Sequence, residues 1–238
     1  LIPGQEFLLD DGKIHLKIVE KAENVTENGG ENTQEKRYFA KVLWGGLLKS
    51  RKSAALPGAK IYPPTLTNSD LANIKIAKEM GVTGVMQPFV RDHSDLECVK
   101  EALREAGAED IRLFAKIENM DGVRKLEKLL PAADEIVIAR GDLGNAVHLW
   151  DLPGVQRQIS EKCRAAGKPF MVVTQMLASM ERSPVPTRAE VNDIFHAVMD
   201  GAASIMVTGE TAVGDYPVEV IRYMVNTVRS AEKKKIDK

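Results

Sequence analysis

From residue 68 onward the chain alternates between two periodicities. Apolar positions recur at helical spacing over residues 69–80, 94–106, 122–130, 153–166, 187–199 and 217–232, which predicts six amphipathic helices. Between them lie the short apolar runs Val82-Thr83-Gly84-Val85-Met86, Ile111-Arg112-Leu113-Phe114-Ala115, Ile136-Val137-Ile138-Ala139, Phe170-Met171-Val172-Val173 and Ser204-Ile205-Met206-Val207. Each is too short for a helix and is bounded by Gly, Pro or polar residues, so each predicts a buried parallel strand. Strand and helix in strict alternation make an α/β architecture. Ser94 with Glu97 and Thr187 with Glu190 fit capping boxes. Gly81, Gly107, Gly167 and Gly201 stand just past predicted helix ends, where a left-handed residue closes the helix.

Before residue 58 the pattern is different. Phe7 to Leu9, then Asp10-Asp11-Gly12, then Ile14 to Val19 predict two strands joined by a tight turn. Residues 23–36 are polar and predict a loop. Residues 38–44 alternate and predict a third strand, ended by Gly45-Gly46. This is enough for a small sheet but not for a full domain core.

The last four predicted buried strands end in polar clusters. These are Lys116-Ile117-Glu118-Asn119, Arg140-Gly141-Asp142, Thr174-Gln175 and Thr208-Gly209-Glu210-Thr211. All lie at the C-terminal ends of strands, the edge where parallel α/β barrels and open sheets bind ligands. Period-two spacing puts Lys116 and Glu118 on one side of their strand, and Arg140 and Asp142 on one side of the next. A single Lys–Glu pair is ordinarily a salt bridge, a lone Thr174 a satisfied hydroxyl, and Glu210 the cap of the following turn. Recurrence at one edge of successive strands points instead to a site. Two carboxylates with a lysine suit a hard divalent cation and an anionic substrate, since Mg²⁺ takes one or two protein carboxylates and completes its octahedron with other oxygens.

Composition narrows the classes. The 238 residues carry a net charge of −1, with basic and acidic residues interspersed, so no nucleic-acid footprint exists. The exception, Lys233-Lys234-Lys235, ends a helical stretch and reads as solvated surface. Two cysteines, Cys98 and Cys163, make no disulfide framework and fit a reducing cytoplasm. No apolar run approaches the ~20 residues that span a membrane. The start lacks the features of a signal peptide, and the sequon at Asn24 reads as chance in that setting.

The clusters are worded like those of pyruvate kinases. Ala115-Lys116-Ile117-Glu118-Asn119 with Gly122-Val123, Ala139-Arg140-Gly141-Asp142-Leu143-Gly144, and Thr174-Gln175-Met176-Leu177 with Ser179-Met180 resemble that family's catalytic strand ends. Pro186-Thr187-Arg188-Ala189-Glu190, Gly209-Glu210-Thr211-Ala212 and Gly214-Asp215-Tyr216-Pro217 continue the series in order, and Lys49-Ser50-Arg51-Lys52 with Leu56-Pro57-Gly58 resembles the return from the family's lid domain. The resemblance covers roughly residues 8–232. It implies a partial TIM-type (β/α)8 barrel at residues 59–238, of about five βα units, behind a β-rich lid remnant at residues 1–58.

The resemblance also implies roles. Glu118 and Asp142 would hold Mg²⁺, with Mn²⁺ as a substitute. Lys116 would stabilise the phosphoryl group in flight, Thr174 would stand near the carbon that takes a proton, and Arg140 would position its neighbours. Gly141, Asp142 and Thr174 would bind substrate, and Lys52 would lie near the nucleotide. The implied partners are phosphoenolpyruvate and ADP, within a homo-oligomer in the cytoplasm. A K⁺ site is implied too, but its family ligands belong to barrel strands that this chain does not supply. The chain is therefore expected to be a fragment of a longer protein, inactive in isolation. A magnesium-dependent enolate or pyruvate aldolase-lyase barrel, and a non-catalytic scaffold with this fold, are the competing readings. Local departures are Pro88, where the family places a small hydroxyl residue, and His196, where it places Asn.

Overall fold

The computed structural model describes residues 1–10, 12–22, 36–59 and 62–236. They fall into two compact units, Leu1–Tyr62 and Pro63–Lys238; the sequence reading puts that boundary at residue 58. The polar stretch 23–35, with its sequon at Asn24, lies outside the described residues.

The first unit is an antiparallel sheet in the order β3-β2-β1-β4. Its strands are β1 (Glu6–Leu9), β2 (Ile14–Lys21), β3 (Tyr38–Trp44) and β4 (Ala54–Ala55). Leu9 pairs with Ile14 across the hairpin. The turn between them uses left-handed residues at Asp10 (φ 51°) and Gly12 (φ 82°). Only Ile14, His15 and Ile18 of this sheet are buried, so the unit has little core of its own.

The second unit holds five parallel strands in sequential order, β5 (Gly84–Gln87), β6 (Arg112–Ile117), β7 (Glu135–Ala139), β8 (Phe170–Val173) and β9 (Ser204–Met206). Each returns to the next through helix: α1 (Asn68–Ala77) precedes β5, and α2 (His93–Glu105) follows it. The others are α3 (Met120–Arg124), α4 (Leu126–Leu129), α5 (Arg140–Ala146), α6 (Leu152–Ala165), α7 (Arg188–Met199), α8 (Gly209–Ala212) and α9 (Pro217–Ile236). Sequential parallel order is the winding of a barrel rather than of a doubly wound sheet. The architecture is α/β, a partial TIM-type barrel with a separate antiparallel sheet.

Alternation along the strands divides the core. Leu113, Ala115, Ile117, Ile136, Ile138, Phe170 and Val172 face the helices and pack with Leu96, Leu126, Ile159 and Ile194. The opposite face carries Val137, Ala139 and Val173 with Phe114, Met171 and Met206. By the same parity Lys116 shares the face of Phe114. Each of these strands thus delivers alternate side chains to the barrel interior, and the strand ends carry that direction into the site.

Three local expectations change. Asp92, not Ser94, caps α2, accepting the Ser94 N–H at 3.0 Å. The helix predicted over 122–130 is two short pieces that meet at Lys125. Arg140 and Asp142 stand in the first turn of α5 rather than on a strand, so period-two spacing does not align them. The Thr187–Glu190 capping box is present, and Thr67 with Asp70 forms another. Gly81, Gly107, Gly167 and Gly201 all have positive φ.

Candidate active site

The registers bring the ends of the five parallel strands to one edge. Gln87 pairs with Ala115, Ile117 with Ile138, Ala139 with Val173, and Val173 with Met206. Residues that follow these pairs leave the sheet side by side, on strands about 4.8 Å apart.

Glu118 follows β6 directly, and its side chain is 1% exposed. Burial of a carboxylate requires partners for its charge. Lys116 Nζ lies 2.7 Å from Oε1, and the backbone N–H of Phe89 donates to Oε2 at 2.7 Å. That N–H is aimed by a left-handed Phe89 (φ 51°) in the turn after β5. Asn119 locks the same turn: its Nδ2 donates to the Val90 carbonyl at 3.1 Å, while its Oδ1 caps α3 through Gly122 N at 2.9 Å. Gly122 is glycine for a steric reason. A Cβ there would stand 2.6 Å from the Val90 carbonyl oxygen.

The end of β7 passes straight into α5. Gly141 N donates to Thr174 Oγ1 at 2.9 Å, and Thr174 Oγ1 donates to the Val173 carbonyl at 2.6 Å. Thr174 (φ 73°) and Gln175 (φ 52°) are both left-handed. For a β-branched residue this costs about 1–3 kcal/mol and persists only where surroundings enforce it. Arg140 provides part of the enforcement. Its Nη2 donates to the Thr174 carbonyl at 2.6 Å and its Nη1 to Asp193 Oδ2 at 2.6 Å. Asp142 is half-buried in the first turn of α5.

The last strand end is structural. Glu210 is 2% exposed. It accepts from Leu177 N at 3.1 Å and from Thr208 N at 2.7 Å, tying the loop after β9 to the loop after β8. Lys52 belongs to the first unit, where it pairs with Asp10 at 2.8 Å.

The residues at this edge suit a hard divalent cation. Two of the roughly four lone-pair sites of the Glu118 carboxylate are used by Lys116 and Phe89, which leaves acceptor capacity. Asp142 supplies a second carboxylate from the neighbouring strand end. No cluster of three or more His, Cys, Asp or Glu capable of holding a metal occurs among the described residues. Two carboxylates are as many protein ligands as Mg²⁺ ordinarily takes, the rest of its octahedron coming from other oxygens.

Residues 1–221 match the family model described as Pyruvate kinase, barrel domain. The chain belongs to the pyruvate kinase family. It is 38% identical over 229 residues to a pyruvate kinase of Bacillus licheniformis, covering 96% of this chain and 37% of that protein. It is 40% identical over 221 residues to a pyruvate kinase of Geobacillus stearothermophilus (93% of this chain, 36% of that protein). A pyruvate kinase of Clostridium acetobutylicum is 35% identical over 230 residues (97% and 46%). The chain spans less than half the length of these curated relatives.

Among the predicted site residues, Lys116 and Glu118 are in direct contact, as are Arg140, Gly141 and Thr174. Sequence reasoning missed Asp193 and the Phe89 N–H. Asp193 sits in an ordinary amphipathic helix, and a backbone donor leaves no side-chain signal. No helix among the described residues is long and apolar enough to cross a membrane.

Proposed function

We propose that this chain carries the phosphoryl-transfer centre of a pyruvate kinase, which moves the phosphoryl group of phosphoenolpyruvate to ADP and yields pyruvate and ATP. The observation that carries the reading is the buried Glu118, paired with Lys116 at 2.7 Å at the sheet edge shared with Asp142 and Thr174.

Glu118 and Asp142 would hold Mg²⁺ or Mn²⁺. When bound, the ion supplies positive charge to the enolate and phosphoryl oxygens. Lys116 adds a compact cation on the same side as Glu118 and neutralises the phosphoryl group in transit. Its own position is fixed by the buried carboxylate. Positioning and charge neutralisation are most of what this chemistry needs from a protein.

Gly141, Asp142 and Thr174 bind the substrate end. A substrate carboxylate that reaches the Gly141 N–H replaces the Thr174 hydroxyl as acceptor. The released hydroxyl then turns toward the methylene carbon and passes it a proton, drawn in turn from solvent. Arg140 holds the Thr174 carbonyl through this exchange. Lys52 is assigned to the nucleotide, on the resemblance of its segment alone. The natural assembly is assigned as a homo-oligomer in the cytoplasm.

A coupled assay of pyruvate formation with the full natural polypeptide tests the reading. Metal-dependent turnover is expected. Lys116→Met and Asp142→Ala should each lower kcat by roughly 100-fold or more. Turnover unchanged by both substitutions would remove the assignment.

A further inference from the structure

We infer that Asp193 is a positioning residue for proton delivery at Thr174; the inference rests on the kinase reading above. Thr174 and Gln175 hold consecutive left-handed conformations, so the direction of the Thr174 hydroxyl depends on what pins this turn. The pin is a relay. Arg140 reaches from the start of α5, its Nη2 donating to the Thr174 carbonyl at 2.6 Å and standing 2.8 Å from Met176 Sδ. Its other terminal nitrogen is held by Asp193 Oδ2 at 2.6 Å, from the second turn of α7.

A guanidinium is planar, so fixing one nitrogen fixes the direction of the other. The Arg140 side chain is 13% exposed. Without Asp193 it would be a largely buried cation lacking its counter-ion, free to leave the Thr174 carbonyl for water. Lys116 and Glu118 are held by β6 and the turn after β5, and neither depends on α7. Loss of Asp193 should therefore disturb the step that uses Thr174 more than it disturbs substrate binding. In that step a lone pair on the enolate oxygen forms the ketone C=O bond, the electrons of the carbon–carbon double bond take the hydroxyl proton to make the new C–H bond, and solvent returns a proton to the Thr174 oxygen.

The pair can be reached from outside the barrel. A groove of about 340 Å³ opens onto Arg140 and Asp193 and is bordered by Gln156, Arg157, His196 and Asp200. A small carboxylate added to solution can enter where the Asp193 side chain has been removed.

The test uses the full natural polypeptide with Asp193→Ala and Asp193→Asn. Three quantities are read: kcat, KM for phosphoenolpyruvate, and exchange of pyruvate methyl protons with deuterated solvent followed by NMR. For Asp193→Ala, kcat and exchange should fall together by roughly tenfold or more, with KM within about threefold of wild type. Millimolar formate should restore several-fold of the loss, and Asp193→Asn, which keeps an acceptor oxygen, should lose less. Exchange and kcat within about twofold of wild type in Asp193→Ala would overturn the inference. So would a loss that neither formate nor Asn lessens, since that is the mark of a purely structural role. If Asp193→Ala does not fold, Asp193→Asn decides alone: selective loss of exchange supports the relay, and unchanged exchange refutes it. A wild-type protein with neither turnover nor exchange overturns both readings, whereas an active wild type with an indifferent Asp193 overturns only this one.

Discussion

The backbone N–H of Gly141 donates to the hydroxyl of Thr174 at 2.9 Å, joining the end of β7 to the end of β8. The three atoms nearest to a Cβ added at Gly141 all belong to Thr174, at 3.7–3.8 Å, which is ordinary contact. A methyl group therefore fits at this position without collision. Gly141→Ala should change stability by no more than about 1 kcal/mol, since alanine is the better helix former. It should nevertheless raise KM for phosphoenolpyruvate by roughly tenfold or more, because the methyl group occupies the approach to the N–H. Urea unfolding and steady-state kinetics on the same preparation check both halves.

Glu118 separates two roles that a single carboxylate can play. Glu118→Gln keeps shape and one acceptor oxygen but removes the charge that balances Lys116. The expected result is a roughly 10–100-fold higher magnesium concentration at half-maximal rate. Titration of activity with Mg²⁺ measures it, and an unshifted midpoint would assign Glu118 to holding Lys116 alone.

Most of the barrel portion was legible because its signal is periodic. The runs at 136–139 and 170–173 became β7 and β8 within a residue, and the Gly-terminated helices ended where left-handed residues were expected. The strand-end clusters stood out because a polar residue at the end of a buried strand breaks the pattern. What remained hidden lacked periodicity or side-chain identity. Helix α5 contains two glycines in seven residues and has no propensity signal. The Phe89 N–H is a backbone donor. Asp193 is an acid on a helix with ordinary spacing, and only the fold brings it to Arg140, 53 residues earlier. Ser94 looked like a cap because Glu97 follows at the right distance, but Asp92, two residues before it, is the better acceptor.

Gly122 and Gly209 both stand where an added Cβ collides, yet the two should respond differently. At Gly122 the collision is with the Val90 carbonyl oxygen, 2.6 Å away, in a turn that also carries the Phe89 N–H. Backbone cannot yield without moving that turn. At Gly209 the collision is with the end of the Glu181 side chain, which can rotate. Gly122→Ala should cost about 2 kcal/mol or more and Gly209→Ala less. Chemical denaturation of the two variants beside wild type compares them.

Asp95 gives a prediction in pH. It is 3% exposed, and burial alone would raise its pKa. Hydrogen bonds from Arg91 and Thr65 outweigh that and hold it at about 2, below its ordinary 3.8. Arg91 contacts both carboxylate oxygens, at 2.6 and 3.0 Å, and Thr65 Oγ1 donates at 2.6 Å. The folded state therefore binds fewer protons than the unfolded state between about pH 4 and pH 2. Stability from this network is complete above about pH 4 and is lost as pH falls through 2. Its size is about 1–2 kcal/mol after allowance for solvent screening. Asp95→Asn keeps the shape and removes the titration, so it should be less stable than wild type at pH 6, with the gap closing toward pH 2. Equilibrium unfolding at both ends of that range measures the gap, and a difference that stays constant with pH would show that Arg91 and Thr65 do not favour the ionised carboxylate.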